Sequence, residues 1–236
     1  IYTPLYTLSY TTLFRSALLA WREAIGERLP VVLWLHGYTV DKQTNRAELE
    51  FFAQAGFLAV AVDAPGHGER RRADDAPDDS LSPRQREQRL RAIVAQSVAE
   101  MPAIIDALAG SEFADVRRLA VCGVSMGGCS VYGALVGEPR LRAAVALLGS
   151  PALAGLEGRL PGAAFPAALL SITAACDAVV PPAAARALHA ALVAGYRDRP
   201  QALRYREIPA AGHLLDLPDW QAALCEARDW FRQHAD

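Results

Sequence analysis

The stretch LAVCGVSMGG, residues 119–128, decides the fold class. Its first half is a short apolar run of the kind that forms a strand buried on both faces. An Ala/Leu/Val-rich run over residues 125–136 predicts a helix directly after it. Glycines at positions 123 and 127 allow a tight turn between the two. A serine on such a strand-to-helix turn exposes its hydroxyl at the carboxyl end of the strand, so Ser125 is the candidate nucleophile.

The same alternation of short apolar runs and longer amphipathic runs continues on both sides of this turn. It predicts strands at residues 31–35, 58–62, 119–123, 143–148, 169–174 and 203–208, and helices at 46–54, 83–108, 125–136, 182–194 and 220–233. Pro102 should kink or split the second helix. The first 25 residues indicate one or two antiparallel strands at the sheet edge. This pattern predicts an α/β fold with a doubly wound, mostly parallel sheet.

Length and composition favour one domain over residues 1–236, with a possible flap at the charge-dense residues 66–82. A net charge of −2 gives no reason to expect nucleic acid as a partner. No run of about 18 uncharged apolar residues is present, so no membrane span is expected. The four cysteines contain no C-x-x-C pair, which disfavours a metal site. They are expected to be buried, reduced thiols, which suggests a cytoplasmic location.

A serine hydroxyl needs a base and a carboxylate that orients the base. Of five histidines, His213 alone follows the last predicted strand, at the sheet edge that carries Ser125. Asp177 ends the preceding predicted strand, so the chain order is serine, acid, histidine. Asp63 and Asp216 fit less well, because Asp63 follows an early strand and Asp216 is close to His213 in sequence.

Acyl transfer also needs N–H donors for the developing oxyanion. The candidates are the backbone N–H groups of Met126, after the nucleophile, and of Tyr38, in the His-Gly-Tyr loop after the first core strand. Tyr38, Val179 and Leu214, together with Met126, suggest an apolar substrate pocket, which favours short or medium uncharged acyl groups.

Taken together, these motifs resemble the α/β-hydrolase superfamily over about residues 30–233. The chain is similar to the small carboxylesterases grouped with dienelactone hydrolases and prolyl-oligopeptidase-like catalytic domains. The matching stretches are LHGY (35–38), DAPGHGER (63–70), GVSMGG (123–128), DAVVP (177–181) and Gly212 with His213. The chain departs from the pattern in two ways: alanines 174 and 175 replace a His-Gly pair, and the nucleophile is a serine where dienelactone hydrolases have cysteine.

The resemblance implies a serine esterase that acts on a small-molecule ester and needs no cofactor or metal. It also implies that the loop over residues 63–70 helps to shape the pocket, so His67 is a further candidate pocket residue, with a structural role as the alternative. A thioesterase or small peptidase with the same triad is an alternative, and a non-catalytic binding module is a further one. The sequence leaves the physiological substrate and the oligomeric state open.

Overall fold

The computed structural model describes residues 5–8, 17–20, 27–72, 78–156 and 167–235. Within these ranges eight strands form one sheet in the order β1-β2-β4-β3-β5-β6-β7-β8. The strands are β1 (Leu5–Leu8), β2 (Ala17–Ala20), β3 (Leu29–Leu35), β4 (Leu58–Val62), β5 (Ala114–Val124), β6 (Leu141–Leu147), β7 (Ala168–Ala174) and β8 (Leu203–Ile208). In this sheet order, each neighbouring pair of strands from β4 through β3 to β8 is parallel. At one edge of the sheet, β1 pairs with β2 and β2 with β4 in antiparallel orientation.

The sheet is mostly parallel because its central strands are apolar on both faces. Successive residues of β3, β4, β6 and β7 are buried almost without alternation, which requires cover on both sides of the sheet. The predicted α/β fold with a doubly wound, mostly parallel sheet is therefore confirmed. The edge strands predicted in the first 25 residues are also present, as β1 and β2.

The described residues form five α-helices: α1 (Arg46–Gln54), α2 (Pro83–Ala109), α3 (Met126–Gly137), α4 (Ala183–Leu192) and α5 (Leu217–His234). The first four connect strands, and α5 follows β8. Helices α1 and α5 pack together, with the ring centroids of Phe52 and Phe231 5.7 Å apart. Helix α2 packs against α3. It begins with a capping box in which the Ser82 side chain accepts from the N–H of Gln85, and it stays one helix through Pro102, so it is not split there.

Helix α2 is also long and apolar enough, by length and composition, to cross a membrane. Core helices and signal sequences pass the same test. In this structure its Glu100 pairs with Arg70 at 2.8 Å, and six of its apolar side chains are buried: Ile93, Val94, Met101, Ile104, Ile105 and Leu108. The helix thus packs as part of the core, and the lack of a membrane span stays a prediction.

The carboxyl ends of the strands carry unusual backbone angles. Among the described residues, four that are not glycine have positive φ angles: Thr39, Ser125, Leu148 and Ala210. They follow β3, β5, β6 and β8, respectively. Such residues are uncommon outside glycine and cluster at functional sites, which directs attention to this edge of the sheet.

The four cysteines are free, as expected. Cys122 and Cys129 are buried, but Cys176 is exposed and Cys225 is half-buried. The expectation of burial is therefore wrong for these last two. Cys176 lies beyond the end of β7 in a turn at the surface, and the apolar residues before it misled the prediction.

Candidate active site

Ser125 lies on a sharp turn between β5 and α3. Its φ of 56° and ψ of −114° are outside the helical and extended regions. Its N–H donates to the Leu147 carbonyl at 2.8 Å, which anchors the turn to β6. A Cβ atom on Gly123 would overlap the backbone of Gly127, and one on Gly127 would overlap the Leu35 carbonyl group. Glycine is therefore needed at both positions for strand and helix to approach.

The structure brings Ser125, His213 and Asp177 together in one chain of hydrogen bonds. Oγ of Ser125 lies 2.9 Å from Nε2 of His213, and Nδ1 of His213 lies 2.7 Å from Oδ2 of Asp177. A carboxylate oxygen can only accept, so Nδ1 carries the proton and Nε2 has a lone pair for the serine hydroxyl. This arrangement can remove the hydroxyl proton as the serine attacks.

Asp177 is buried and fixed by its own loop. Its Oδ1 accepts hydrogen bonds from the N–H groups of Val179 at 2.9 Å and Val180 at 2.8 Å. The N–H of Cys176 donates to the Ala211 carbonyl at 2.9 Å. This bond joins the loop that carries the acid to the loop that carries His213. The carboxylate is thus held in place before any substrate arrives.

The two other acids considered from the sequence have structural partners. Asp63 accepts from the N–H of Lys42 at 2.9 Å, from Nζ of Lys42 at 2.6 Å and from the N–H of Glu69 at 3.0 Å. Burial alone would raise the pKa of Asp63, but these hydrogen bonds outweigh burial and lower it. Asp216 caps α5 by accepting from the N–H of Asp219. In the part of the chain that the structure describes, neither carboxylate forms a hydrogen bond with His213.

The candidate oxyanion donors lie beside the nucleophile. Met126 is the first residue of α3, where backbone N–H groups have no partner within the helix. Gly37 lies so close to the turn that a Cβ atom there would be 3.9 Å from Cβ of Ser125. Tyr38 follows Gly37, so its N–H belongs to the loop that faces Ser125. The assignment of these two N–H groups to the oxyanion stays a prediction.

The candidate pocket residues fall into two groups. Val179 is 70% exposed and Leu214 is 91% exposed, so these two lie on the open surface around the Asp177 and His213 loops. His67 is buried, and its ring centroid is 5.3 Å from that of Tyr38. The part of the predicted flap at residues 73–77 lies outside the described residues.

A second apolar group next to the nucleophile was missed by the sequence analysis. Helix α2 contributes Ile93 and Val94, and α3 contributes Met126 and Cys129. We call this group, with its partly buried neighbours, the apolar cluster; those neighbours are Tyr38, Ala64, Leu90, Leu153 and Ala154. The spacing of Leu90, Ile93 and Val94 indicates an inward face of α2, but it does not say what that face packs against.

Within the described ranges, no group of three or more His, Cys, Asp or Glu side chains is placed to hold a metal ion. The hydrogen-bonded Ser125, His213 and Asp177 can perform nucleophilic attack by an activated serine.

Two curated bacterial proteins are similar to part of this chain. Esterase YjfP of Escherichia coli (strain K12) is 31% identical over 122 residues, which are 52% of this chain and 46% of that protein. YitV of Bacillus subtilis (strain 168) is 29% identical over 123 residues, again 52% of this chain and 46% of the relative. The aligned part of the chain spans about half the length of these curated relatives.

Among solved structures, TT1662 from Thermus thermophilus superposes with a TM-score of 0.77 at 24% identity, covering 98% of this chain and 99% of that one. At this identity the likeness shows the fold alone. Residues 26–164, more than half of the chain, match the family Hydrolase_4, described as serine aminopeptidase, S33. The chain therefore belongs to the Hydrolase_4 family, and its fold is that of the α/β-hydrolases.

Proposed function

We propose that the protein is a serine carboxylesterase that forms an acyl-enzyme on Ser125. The observation that carries this proposal is the unbroken relay from Ser125 through His213 to Asp177, with contacts of 2.9 Å and 2.7 Å. The esterase name of the E. coli relative supports ester hydrolysis as the reaction. A small-molecule ester as substrate and a cytoplasmic location belong to the same proposal.

The reaction has two halves. Oγ of Ser125 bonds to the ester carbonyl carbon while its proton passes to Nε2 of His213. The resulting oxyanion accepts hydrogen bonds from the N–H groups of Tyr38 and Met126. The tetrahedral intermediate collapses, the C–O bond to the alcohol breaks, and the alcohol takes the proton from His213. Water then gives a proton to His213 and attacks the acyl carbon, which releases the carboxylic acid and restores the Ser125 hydroxyl.

Asp177 has two functions in this scheme. It holds the proton of His213 on Nδ1, which leaves Nε2 free to act as the base, and it stabilises the imidazolium that forms. The two N–H groups from Val179 and Val180 stabilise the ionised carboxylate in turn.

The apolar cluster points to short, uncharged acyl groups. It includes Met126, whose N–H is a candidate oxyanion donor, so an acyl chain bound at Ser125 would extend toward Leu90 and Leu153. These side chains are partly buried and pack on the cluster, so we propose that the acyl group on that side is short. The exposed Val179 and Leu214 leave the alcohol side open, which fits alcohols of varied size.

A panel of p-nitrophenyl esters of increasing acyl length tests the proposal. Wild type should hydrolyse the short esters fastest, and Ser125→Ala should reduce kcat to the background rate. Ser130→Ala is a matched control in the same helix, because its hydroxyl donates only to the Met126 carbonyl, at 3.2 Å. Hydrolysis that is equal in wild type and Ser125→Ala would exclude the proposed mechanism.

Amide hydrolysis is a second candidate because the family is described as serine aminopeptidase. The same relay can cleave an amide if the leaving amine is protonated by His213. Aminoacyl p-nitroanilides and acyl thioesters, assayed beside the esters, separate the three activities by their kcat/KM. A protein that neither turns over any of these substrates nor reacts with a fluorophosphonate at Ser125 would instead be a binding module.

A further inference from the structure

Two histidines outside the triad connect the loop of the candidate oxyanion donor to its neighbour. We call residues 36–42, after β3, the oxyanion loop, and residues 63–70, after β4, the second loop. His36 belongs to the oxyanion loop and His67 to the second loop. Both side chains are buried, and their ring centroids are 5.3 Å apart.

Each imidazole accepts a hydrogen bond from a backbone N–H of the other loop. Nε2 of His36 accepts from the N–H of Ala64 at 2.9 Å, and Nε2 of His67 accepts from the N–H of Thr39 at 3.3 Å. The other nitrogen of each ring contacts a carbonyl of its own loop. Nδ1 of His36 lies 2.7 Å from the Gly37 carbonyl, and Nδ1 of His67 lies 2.9 Å from that of Pro65.

These contacts fix the tautomer of both rings. A carbonyl oxygen only accepts, so each Nδ1 carries a proton, and an Nε2 that accepts from an amide must be unprotonated. Both imidazoles are therefore neutral in this arrangement. Burial, the largest influence on the pKa of His36, lowers it, which agrees with a neutral ring.

The bond to Thr39 restrains a residue with an unusual backbone. Thr39 has a φ of 67°, which a β-branched residue rarely adopts without support. Tyr38 lies directly before it and packs its ring against His67 at 5.3 Å. The peptide plane between Tyr38 and Thr39 therefore depends on His67, and the orientation of the Tyr38 residue depends on that plane.

We propose that His67 is a positioning residue for the oxyanion hole: by accepting the Thr39 N–H, it holds the Tyr38 N–H toward the oxyanion formed on Ser125. This inference rests on the proposed esterase function. In this proposal His67 acts through the oxyanion loop, by way of the Thr39 N–H. Since an oxyanion forms after binding, the effect belongs to the transition state and should appear in kcat more than in KM.

Three substitutions separate the hydrogen-bond acceptor from the bulk of the ring. His67→Gln places a side-chain oxygen near the position of Nε2 and can still accept from Thr39. His67→Asn keeps a polar group near Nδ1 but has nothing at the Nε2 position. His67→Phe keeps a ring and has no acceptor. The assay is hydrolysis of a short p-nitrophenyl ester, with rates divided by the concentration of sites that a fluorophosphonate labels at completion.

We expect kcat to fall about tenfold or more in His67→Phe and His67→Asn, with KM changed less than about threefold, because an oxyanion donor contributes roughly 10²–10³ in rate. His67→Gln should recover most of the wild-type kcat. Equal kcat per labelled site in all three variants would overturn the proposal, as would recovery by Asn and not by Gln. If His67→Phe does not fold, the Gln and Asn pair decides the question alone.

The same assay distinguishes failure of the His67 proposal from failure of the proposed esterase function. Wild-type hydrolysis that Ser125→Ala does not reduce excludes the esterase mechanism, whatever the His67 variants do. Hydrolysis that depends on Ser125 but is unchanged in His67→Phe excludes only the role of His67. Thermal melting of each variant shows whether variants with lower rates also have lower melting temperatures. A purely structural role of His67 would require that the two losses occur together.

Discussion

The buried hydroxyl of Ser171 in β7 lies 2.8 Å from Nε2 of the buried His189 in α4. Ser171 also accepts a hydrogen bond from the Tyr132 hydroxyl at 2.8 Å. While accepting from Tyr132, Ser171 can still donate its own proton to Nε2 of a neutral His189. Together the three side chains join α3, β7 and α4.

The free energy of unfolding should fall as the pH drops below the pKa of an ordinary histidine. Burial lowers the pKa of His189 from 6.5 to about 4, so between these values the unfolded chain binds a proton that the folded chain does not. The free energy of unfolding is therefore full above pH 6.5 and decreases as the pH falls toward 4, by on the order of 3 kcal/mol. Urea titrations of wild type and His189→Gln at several pH values measure this. A variant with the same pH slope as wild type would contradict the assignment.

Asp177→Asn should remove most of the activity and little of the fold. The amide can donate to Nδ1 of His213, which favours the wrong tautomer and leaves Nε2 protonated. We expect kcat to fall by about 10³–10⁴. Steady-state rates on a short p-nitrophenyl ester give the loss, and circular dichroism checks the fold. Asp63→Asn is the control, because Asp63 bonds to Lys42 and Glu69. If Asp63→Asn lost as much kcat per labelled site as Asp177→Asn, the proposed role of Asp177 would be wrong.

Gly127→Ala should destabilise the protein, because its Cβ would overlap the Leu35 carbonyl, which belongs to a central strand. We expect a loss of about 3 kcal/mol or more. Gly212→Ala is the matched control, since a Cβ there would meet nothing within 4 Å. Thermal melting of the two variants gives the comparison. Equal melting temperatures would mean that the close contact at the nucleophile turn is not needed.

Leu153→Ala should widen the acyl side of the site. Leu153 packs on the apolar cluster beside Met126, so its removal opens space for longer acyl chains. The ratio of kcat/KM for octanoate to that for acetate should rise about tenfold, since a methylene in an apolar pocket is worth roughly 1–3 kcal/mol. Leu214→Ala, at a side chain that is 91% exposed, should leave the ratio nearly unchanged. A ratio that changes in Leu214→Ala and not in Leu153→Ala would place the acyl group on the open surface instead.

The sequence could predict those features that short-range patterns determine. The strand, turn and helix around Ser125 follow from local composition, and His213 and Asp177 follow from their positions after predicted strands. Features that depend on packing between distant segments could not be predicted in this way. Val179 and Leu214 are apolar and lie within two residues of Asp177 and His213 in sequence. Nothing in the surrounding sequence indicates that they face solvent.

The apolar cluster and the bonds of His36 and His67 show the same limit. The cluster combines α2, α3 and the short helical turn at Pro151–Ala154, and periodicity marks an inward face without identifying its partner. The two imidazole bonds each span 28 residues. Only the parallel pairing of β3 and β4 brings these loops side by side, and no local pattern encodes that pairing.

The four non-glycine residues with positive φ at the strand ends have an evolutionary consequence. Replacing Thr39 or Leu148 by glycine or asparagine would relieve backbone strain, so selection for heat resistance alone should favour such changes. The same changes would let the loops around the nucleophile relax from the orientations that they now hold. We therefore expect variants selected only for heat resistance to become slower catalysts when the changes fall at these positions.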